Sequence, residues 1–514
     1  MGIKTTGLIN LINKTWIRIL IVLLISFVAL ISVSKFNSIS KVKEYASLEE
    51  FITHLDERIP ILMKDYDIPG LSIALIQKGQ ITWTKAYGYA DIEKGRKMTT
   101  DTYCRVESIS KSVTAWAVMQ LVEQGKIGLD KPVKQYIKNW EFPDSEFSEE
   151  KITVRQLLTN TAGMPLGDIF ERYSPEDQIP TLKESLTKQA VLIQEPGVSF
   201  LYSNTGYNLL ELLIEEVTGR NYAEYMEKEV LIPLGMYNSS FDWSKELKPA
   251  VPVGYDTKGN PIPVYVYPEK ASGGLFASVE DIAAFVAAGM PSYFYTDHRV
   301  LTSESINKLY TPMVEKPGIY DLVFDSYGLG YYIETLENGK QSVANGGQGG
   351  GVMTFFQAVP ETGDGIVILT NSQRSWPFFG YILSDWARWS GFKTIGMGKI
   401  IWAQKALWTL IASFWIIMLW GVCRIAKGVI SGKRRFSPLS KKSHRIHLAQ
   451  SGLAIIILIG LLWCINQDYL FISSIFPIAS GWLGFSFFIF AVILLLSALF
   501  PGIEDNKKTA DDFI

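Results

Sequence analysis

The last quarter of the chain contains three long apolar stretches, about Ala406 to Cys423, about Leu448 to Ile465 and about Gly481 to Phe500. Each is close to the roughly 20 residues that cross a bilayer. A buried core helix can imitate one such run. Three in succession, with little polar sequence between them, read as membrane spans, and a backbone in lipid must be helical to satisfy its own hydrogen bonds. The loop between the first two, Arg424 to His447, carries eight Lys and Arg residues, whereas Asn466 to Pro477 carries none. Positively charged loops stay on the cytoplasmic side. The basic loop is therefore expected inside, and the sequence before Ala406 outside.

The N-terminus agrees independently. Lys4, Lys14 and Arg18 precede the apolar run Ile19 to Val33, the pattern of an export signal or a single-pass anchor, with a weak cleavage position after Ser34. The expected organisation is a signal or anchor over 1–35, an exported domain over 43–394, a three-helix transmembrane domain over 402–502 and a cytoplasmic tail over 503–514. Cys104 is the sole cysteine of the exported part, so it cannot pair within that domain and reads as a small core residue. A formal net charge of −2, with no basic patch outside the cytoplasmic loop, argues against a nucleic-acid partner. The two exported histidines, His54 and His298, have no metal-ligand spacing and no Gly-x-Ser-x-Gly elbow nearby, so no metal and no cofactor is expected.

Within the exported part, "GLSIALIQKGQITWTKAYGYAD" reads as two strands joined at Lys78-Gly79. Near its end, strands turn at Asn338-Gly339 and around Gly363. Helical patterns fill the centre. The expected fold is α+β: an antiparallel sheet built from both termini, flanked by helices, with a mostly helical lobe.

Three constellations stand out. In "RVESISKSVTAW", Ser108 and Lys111 share a face of the first turn of a helix whose N-terminus can stabilise a developing oxyanion. In "FLYSNTGYNLL", Tyr202 and Asn204 precede a helix that ends at Gly219. In "ANGGQGGGVMTFF", Asn345 and a run of glycines precede a strand, where missing side chains let a backbone or ligand come close. Each alone has an ordinary reading as a polar helix start, a helix cap or a loop.

Their order and spacing together resemble the serine beta-lactamase and penicillin-binding superfamily. "ITVRQLLTNTAGMP", "EPGVSFLYSNTGYNLL", "PLGMYNSSF" and "ASGGLFASVEDIAAF" are similar to its class C and D-aminopeptidase branch. The resemblance implies a serine hydrolase in which Ser108 is acylated and Lys111 and Tyr202 shuttle the proton, with the base left open between a neutral lysine and a tyrosinate. It implies an oxyanion hole from the backbone N–H groups of Ser108 and Gln348, and substrate contacts from Asn204, Asn345, Gly346 and Gly347.

Family members commonly carry a cation where this chain has Asn345, and a neutral carboxamide there suits a substrate presenting an amide. With three C-terminal spans, the chain resembles the prodrug-activating peptidases of colibactin and zwittermicin maturation. That resemblance implies removal of an N-acyl-D-asparagine cap from an exported, acylated peptide-like precursor. One span would anchor the domain; three imply an added role such as dimerisation or admission of a lipid-tailed substrate from the bilayer. The alternatives are a cell-wall D-alanyl peptidase or penicillin-binding protein, a beta-lactamase-like esterase and, less favoured, a membrane penicillin receptor.

Overall fold

The computed structural model describes residues 42–501, apart from 170, 245, 246, 248, 292–299, 438–443 and 467–470. The expected signal over 1–35, His298, part of each loop between the apolar stretches and the 503–514 tail lie outside the described residues. The chain divides into two compact units, one ending at Ile401 and one beginning at Trp402.

The first unit opens with α1 (Leu48–Tyr66), started by a reciprocal cap between Ser47 and Glu50. Strands β1 (Gly70–Gln77) and β2 (Gln80–Asp91) follow, joined by Lys78 and Gly79 at φ 52° and 73°. Two positive φ values in a two-residue turn match the twist of the strands on either side. Then come β3 (Arg96–Lys97), α2 (Ile109–Glu123), α3 (Asn204–Thr218) and α4 (Val279–Ala288). The unit closes with β4 (Val314–Glu315), β5 (Ser326–Tyr327), β6 (Tyr332–Thr335), β7 (Gln341–Gly349), β8 (Val352–Val359), β9 (Asp364–Thr370) and α5 (Trp376–Trp389).

These strands form one nine-stranded antiparallel sheet in the order β3-β2-β1-β9-β8-β7-β6-β5-β4. The first strand lies beside the last, from Leu71 opposite Thr370 to Ile76 opposite Gly365, so the sheet is built from both ends of the domain as expected. Strand β1 is almost wholly apolar because both faces of the sheet are covered. Ala74, Ile76, Val367 and Leu369 join the main core with Phe285 and Val286 of α4. On the alternate face, Phe355 of β8 meets Phe379 and Trp376 of α5.

Helix α2 buries Ile109, Val113, Ala115, Trp116, Ala117, Val118, Met119 and Leu121, residues from all around its circumference, making it a central helix packed against α3 and β7. Cys104, just before it, is the expected core residue, its thiol pushed up to about 12 by burial. His54 joins α1 to Asp385 of α5 at 3.1 Å, a structural contact.

The second unit contains α6 (Lys399–Ile430) from Trp402 onward, α7 (His444–Ile465) and α8 (Pro477–Leu499). Among the described residues these are three helices long and apolar enough to cross a membrane.

Candidate active site

Ser108 stands at the N-cap position of α2, yet its backbone is already helical and its hydroxyl makes no capping bond. The ordinary reading of a polar helix start therefore fails for this side chain. At α3 it is Ser203 that caps, accepting the Gly206 N–H at 2.8 Å. That leaves the Asn204 carboxamide for another partner.

The partner is Lys111. Its ammonium is fully buried, and Nζ lies 3.0 Å from Ser108 Oγ, 2.7 Å from Asn204 Oδ1 and 2.7 Å from the Ser272 carbonyl oxygen. Three acceptors match the three hydrogens of an ammonium. A neutral amine can keep the Asn204 and Ser272 bonds and turn its lone pair to the Ser108 hydroxyl. The cage thus serves both states of a proton shuttle. Burial pushes the Lys111 amine down to about 7, against an opposing pull from the Glu107 carboxylate.

The Tyr202 ring lies 5.0 Å from Lys111 Nζ. Burial, together with Tyr320 and Tyr327, drives its phenol well above the ordinary range, outweighing the opposing influence of the Ser108 hydroxyl. Between the two bases left open by the sequence, the neutral lysine is the accessible one near neutral pH.

The glycine-rich strand approaches from the other side. A Cβ on Gly347 would collide with the Val106 carbonyl oxygen, and Thr354 of β8 donates to that same oxygen at 2.8 Å. Gln348 follows directly in β7, its side chain accepting from the Trp376 indole at 3.0 Å. The two expected oxyanion donors therefore sit on adjoining segments.

The residues expected to contact substrate are placed as follows. Asn345 is buried, with its amide nitrogen donating to Ser112 Oγ at 2.8 Å and the Gly330 carbonyl at 3.1 Å while its oxygen accepts the Gly346 N–H. Its carboxamide ties β7 to α2 and is already satisfied, because successive strand side chains alternate faces and this one points inward. A Cβ on Gly346 would meet the Phe355 ring, so the space beside both Gly346 and Gly347 is filled by protein. Asn204 contacts the lysine.

Several residues at the site escaped the sequence reading. Glu211 of α3 accepts the N–H groups of Lys270 and Ala271 at 2.6 and 2.8 Å, fixing the loop whose Ser272 carbonyl holds Lys111. Burial pushes its carboxyl up to about 8. Glu107, the residue before Ser108, forms a buried cluster with Arg105 and Tyr265, and half-buried Tyr267 completes it. A lone acid between Val106 and Ser108 was the one available signal. No group of three His, Cys, Asp or Glu side chains that could hold a metal occurs among the described residues.

A sequence model of the Beta-lactamase family matches residues 55–381. The curated "Protein flp" of Staphylococcus aureus is 28% identical over 313 residues, 59% of this chain and 60% of that protein. A putative penicillin-binding protein, PbpX of Bacillus subtilis, is 27% identical over 337 residues, 64% of this chain and 77% of that protein. The chain thus spans only about 60% of the length of the flp relatives it matches. Among solved structures, the octameric penicillin-binding protein homologue from Pyrococcus abyssi is 29% identical, with a TM-score of 0.58 over 69% of this chain and 81% of that one.

Proposed function

Because the chain belongs to the Beta-lactamase family, we propose that it is a membrane-bound serine hydrolase that opens peptide-like amide or ester carbonyls through an acyl-enzyme on Ser108. The observation that carries this reading is the three-acceptor cage around the fully buried Lys111. Neutral Lys111 takes the Ser108 proton as Oγ attacks the carbonyl carbon. The N–H groups of Ser108 and Gln348 receive the oxyanion. The Tyr202 phenol, protonated at neutral pH, hands its proton to the departing nitrogen or oxygen and recovers from Lys111 the proton that the lysine took from Ser108. Water then hydrolyses the ester.

For substrate, a D-alanyl wall peptide or a penicillin-like ring is the first reading, in keeping with the penicillin-binding relatives. The second is removal of an N-acyl-D-asparagine cap, favoured by the three apolar helices. Its other support is withdrawn, since the Asn345 carboxamide is turned inward. Membranes carrying the full chain should take up fluorescent penicillin at Ser108 and cleave D-alanyl peptides. Absence of both, with turnover of N-acyl-D-asparaginyl amides but not their L isomers, would transfer the assignment to the second reading. The catalytic unit is proposed to face outward, and a cysteine at Ser437 that reacts from outside intact cells would overturn that orientation.

A further inference from the structure

We propose that Glu107 is a positioning residue for this reaction: its buried carboxylate fastens the turn carrying Ser108 to the strand carrying Gln348, and it presents a fixed negative charge to Lys111. The inference rests on the reading of Ser108 as nucleophile and adds to it a residue that touches no substrate.

The backbone is the first observation. Glu107 directly precedes Ser108 and has φ 52°, in the left-handed region. A non-glycine residue there costs about 1 to 2 kcal/mol and persists only where its surroundings demand it. The demand is visible. Tyr265 donates to Oε1 at 2.9 Å, Tyr267 donates to Oε2 at 3.2 Å, and Arg105 Nε lies 3.6 Å from Oε1. Glu107 is only 3% exposed, and both oxygens are occupied, so it cannot bind a substrate group itself.

The glycines are the second, independent observation. A Cβ on Gly349 would collide with the Glu107 carboxylate, and one on Gly347 would meet Glu107 Cβ. These two glycines flank Gln348. A Cβ on Gly273, next to the Ser272 carbonyl that holds Lys111, would press on Oε2. Three glycines from two separated segments thus make room for one acid side chain, which meets the nucleophile's turn, the oxyanion strand and the lysine's loop at once. The glycine run that reads from sequence as a ligand cradle is in part a socket for Glu107.

The charge is the third. The groups that face the carboxylate are Arg105 from its own segment, Lys111 of α2, Tyr265 and Tyr267, and more distantly Tyr202. Burial raises the carboxyl while Arg105, the two phenols and Lys111 hold it down. In return it favours the protonated form of Lys111.

The test measures the rate of Ser108 acylation by fluorescent penicillin and by a p-nitrophenyl ester from pH 5 to 9, with thermal unfolding of the same membranes. Full-length wild type, Glu107→Gly and Glu107→Gln are compared. Glycine accepts the positive φ without strain but leaves Arg105, Tyr265 and Tyr267 without their shared acceptor, so Glu107→Gly should lower the unfolding temperature and, in protein still folded at the assay temperature, slow acylation about 100-fold, the scale of a small misplacement of reacting groups. Glu107→Gln keeps the shape but loses the charge, and should shift the acid limb of the profile down by about one pH unit. Acylation within threefold of wild type in Glu107→Gly would overturn the positioning role. An unmoved acid limb in Glu107→Gln would overturn the electrostatic one. If wild type itself is not acylated at Ser108, the serine reading falls and takes this inference with it.

Discussion

Helices α2 and α7 are both rich in apolar residues, and neither has a single apolar stripe, yet they end in opposite surroundings. Helix α2 is buried on every side from Ile109 to Met119, and its polar residues there all have partners: Ser110 accepts from Leu275 N–H, Ser112 donates to Gly330, and Thr114 bonds Tyr222 and Ala271. Helix α7 leaves Ile456 67% and Trp463 59% exposed. A helix buried in protein has to be specified residue by residue, because each polar atom needs a placed partner and each apolar one a matching surface. A helix facing lipid needs length and apolarity, which many sequences satisfy.

That contrast can be broken at α2 most severely. Ser108→Ala should lower turnover by about 10³ to 10⁶ with the fold intact, as expected when a nucleophile is deleted. Steady-state kinetics beside circular dichroism check this, and a folded variant with retained turnover would sink the serine reading. Next in size, Trp116→Ala should cost about 3 to 5 kcal/mol by denaturant titration, since Trp116 is fully buried and its indole donates to the Tyr331 hydroxyl at 2.9 Å. Trp463→Ala should cost less than about 0.5 kcal/mol in the same assay, as for a surface position. Equal costs would erase the distinction between the helices.

A smaller effect sharpens the lipid side. Ile456→Lys puts a charge near the middle of α7 and should oppose membrane insertion by about 2.5 to 3.5 kcal/mol, while Ile456→Leu should be neutral. Glycosylation-mapped insertion reports both.

The mildest test is a pH dependence confined to α2. The proposed mechanism requires neutral Lys111, so kcat/KM should fall tenfold per pH unit below about 7 and level off above it. Stability should move in the same direction. The folded lysine titrates near 7 against an ordinary 10.5, so between those values the unfolded chain holds a proton that the native chain lacks. Wild type should therefore gain about 1.4 kcal/mol per pH unit over Lys111→Met in that window, and nothing below about 7.

Local physics made much of this protein legible in its sequence. Ser108 and Lys111 were readable as neighbours because i and i+3 share a helix face whatever lies around them. The turns at Lys78-Gly79, Asn338-Gly339 and Gly363 were readable because glycine takes positive φ freely, and all three glycines do so here, at 73°, 80° and 75°. The three long apolar helices followed from length and composition. Tertiary structure alone decided the rest. A strand residue can face either way, and only the packing of Asn345 against Ser112, 233 positions away, turned its carboxamide inward. The proposal of Lys111 rather than Tyr202 as base rests on how burial moves each group, the amine down to about 7 and the phenol well up. Glu107 acquired its place from Tyr265, 158 positions distant, and from glycines on other segments. Such contacts depend on which surfaces the folded chain brings together, and no local rule of spacing or propensity encodes them.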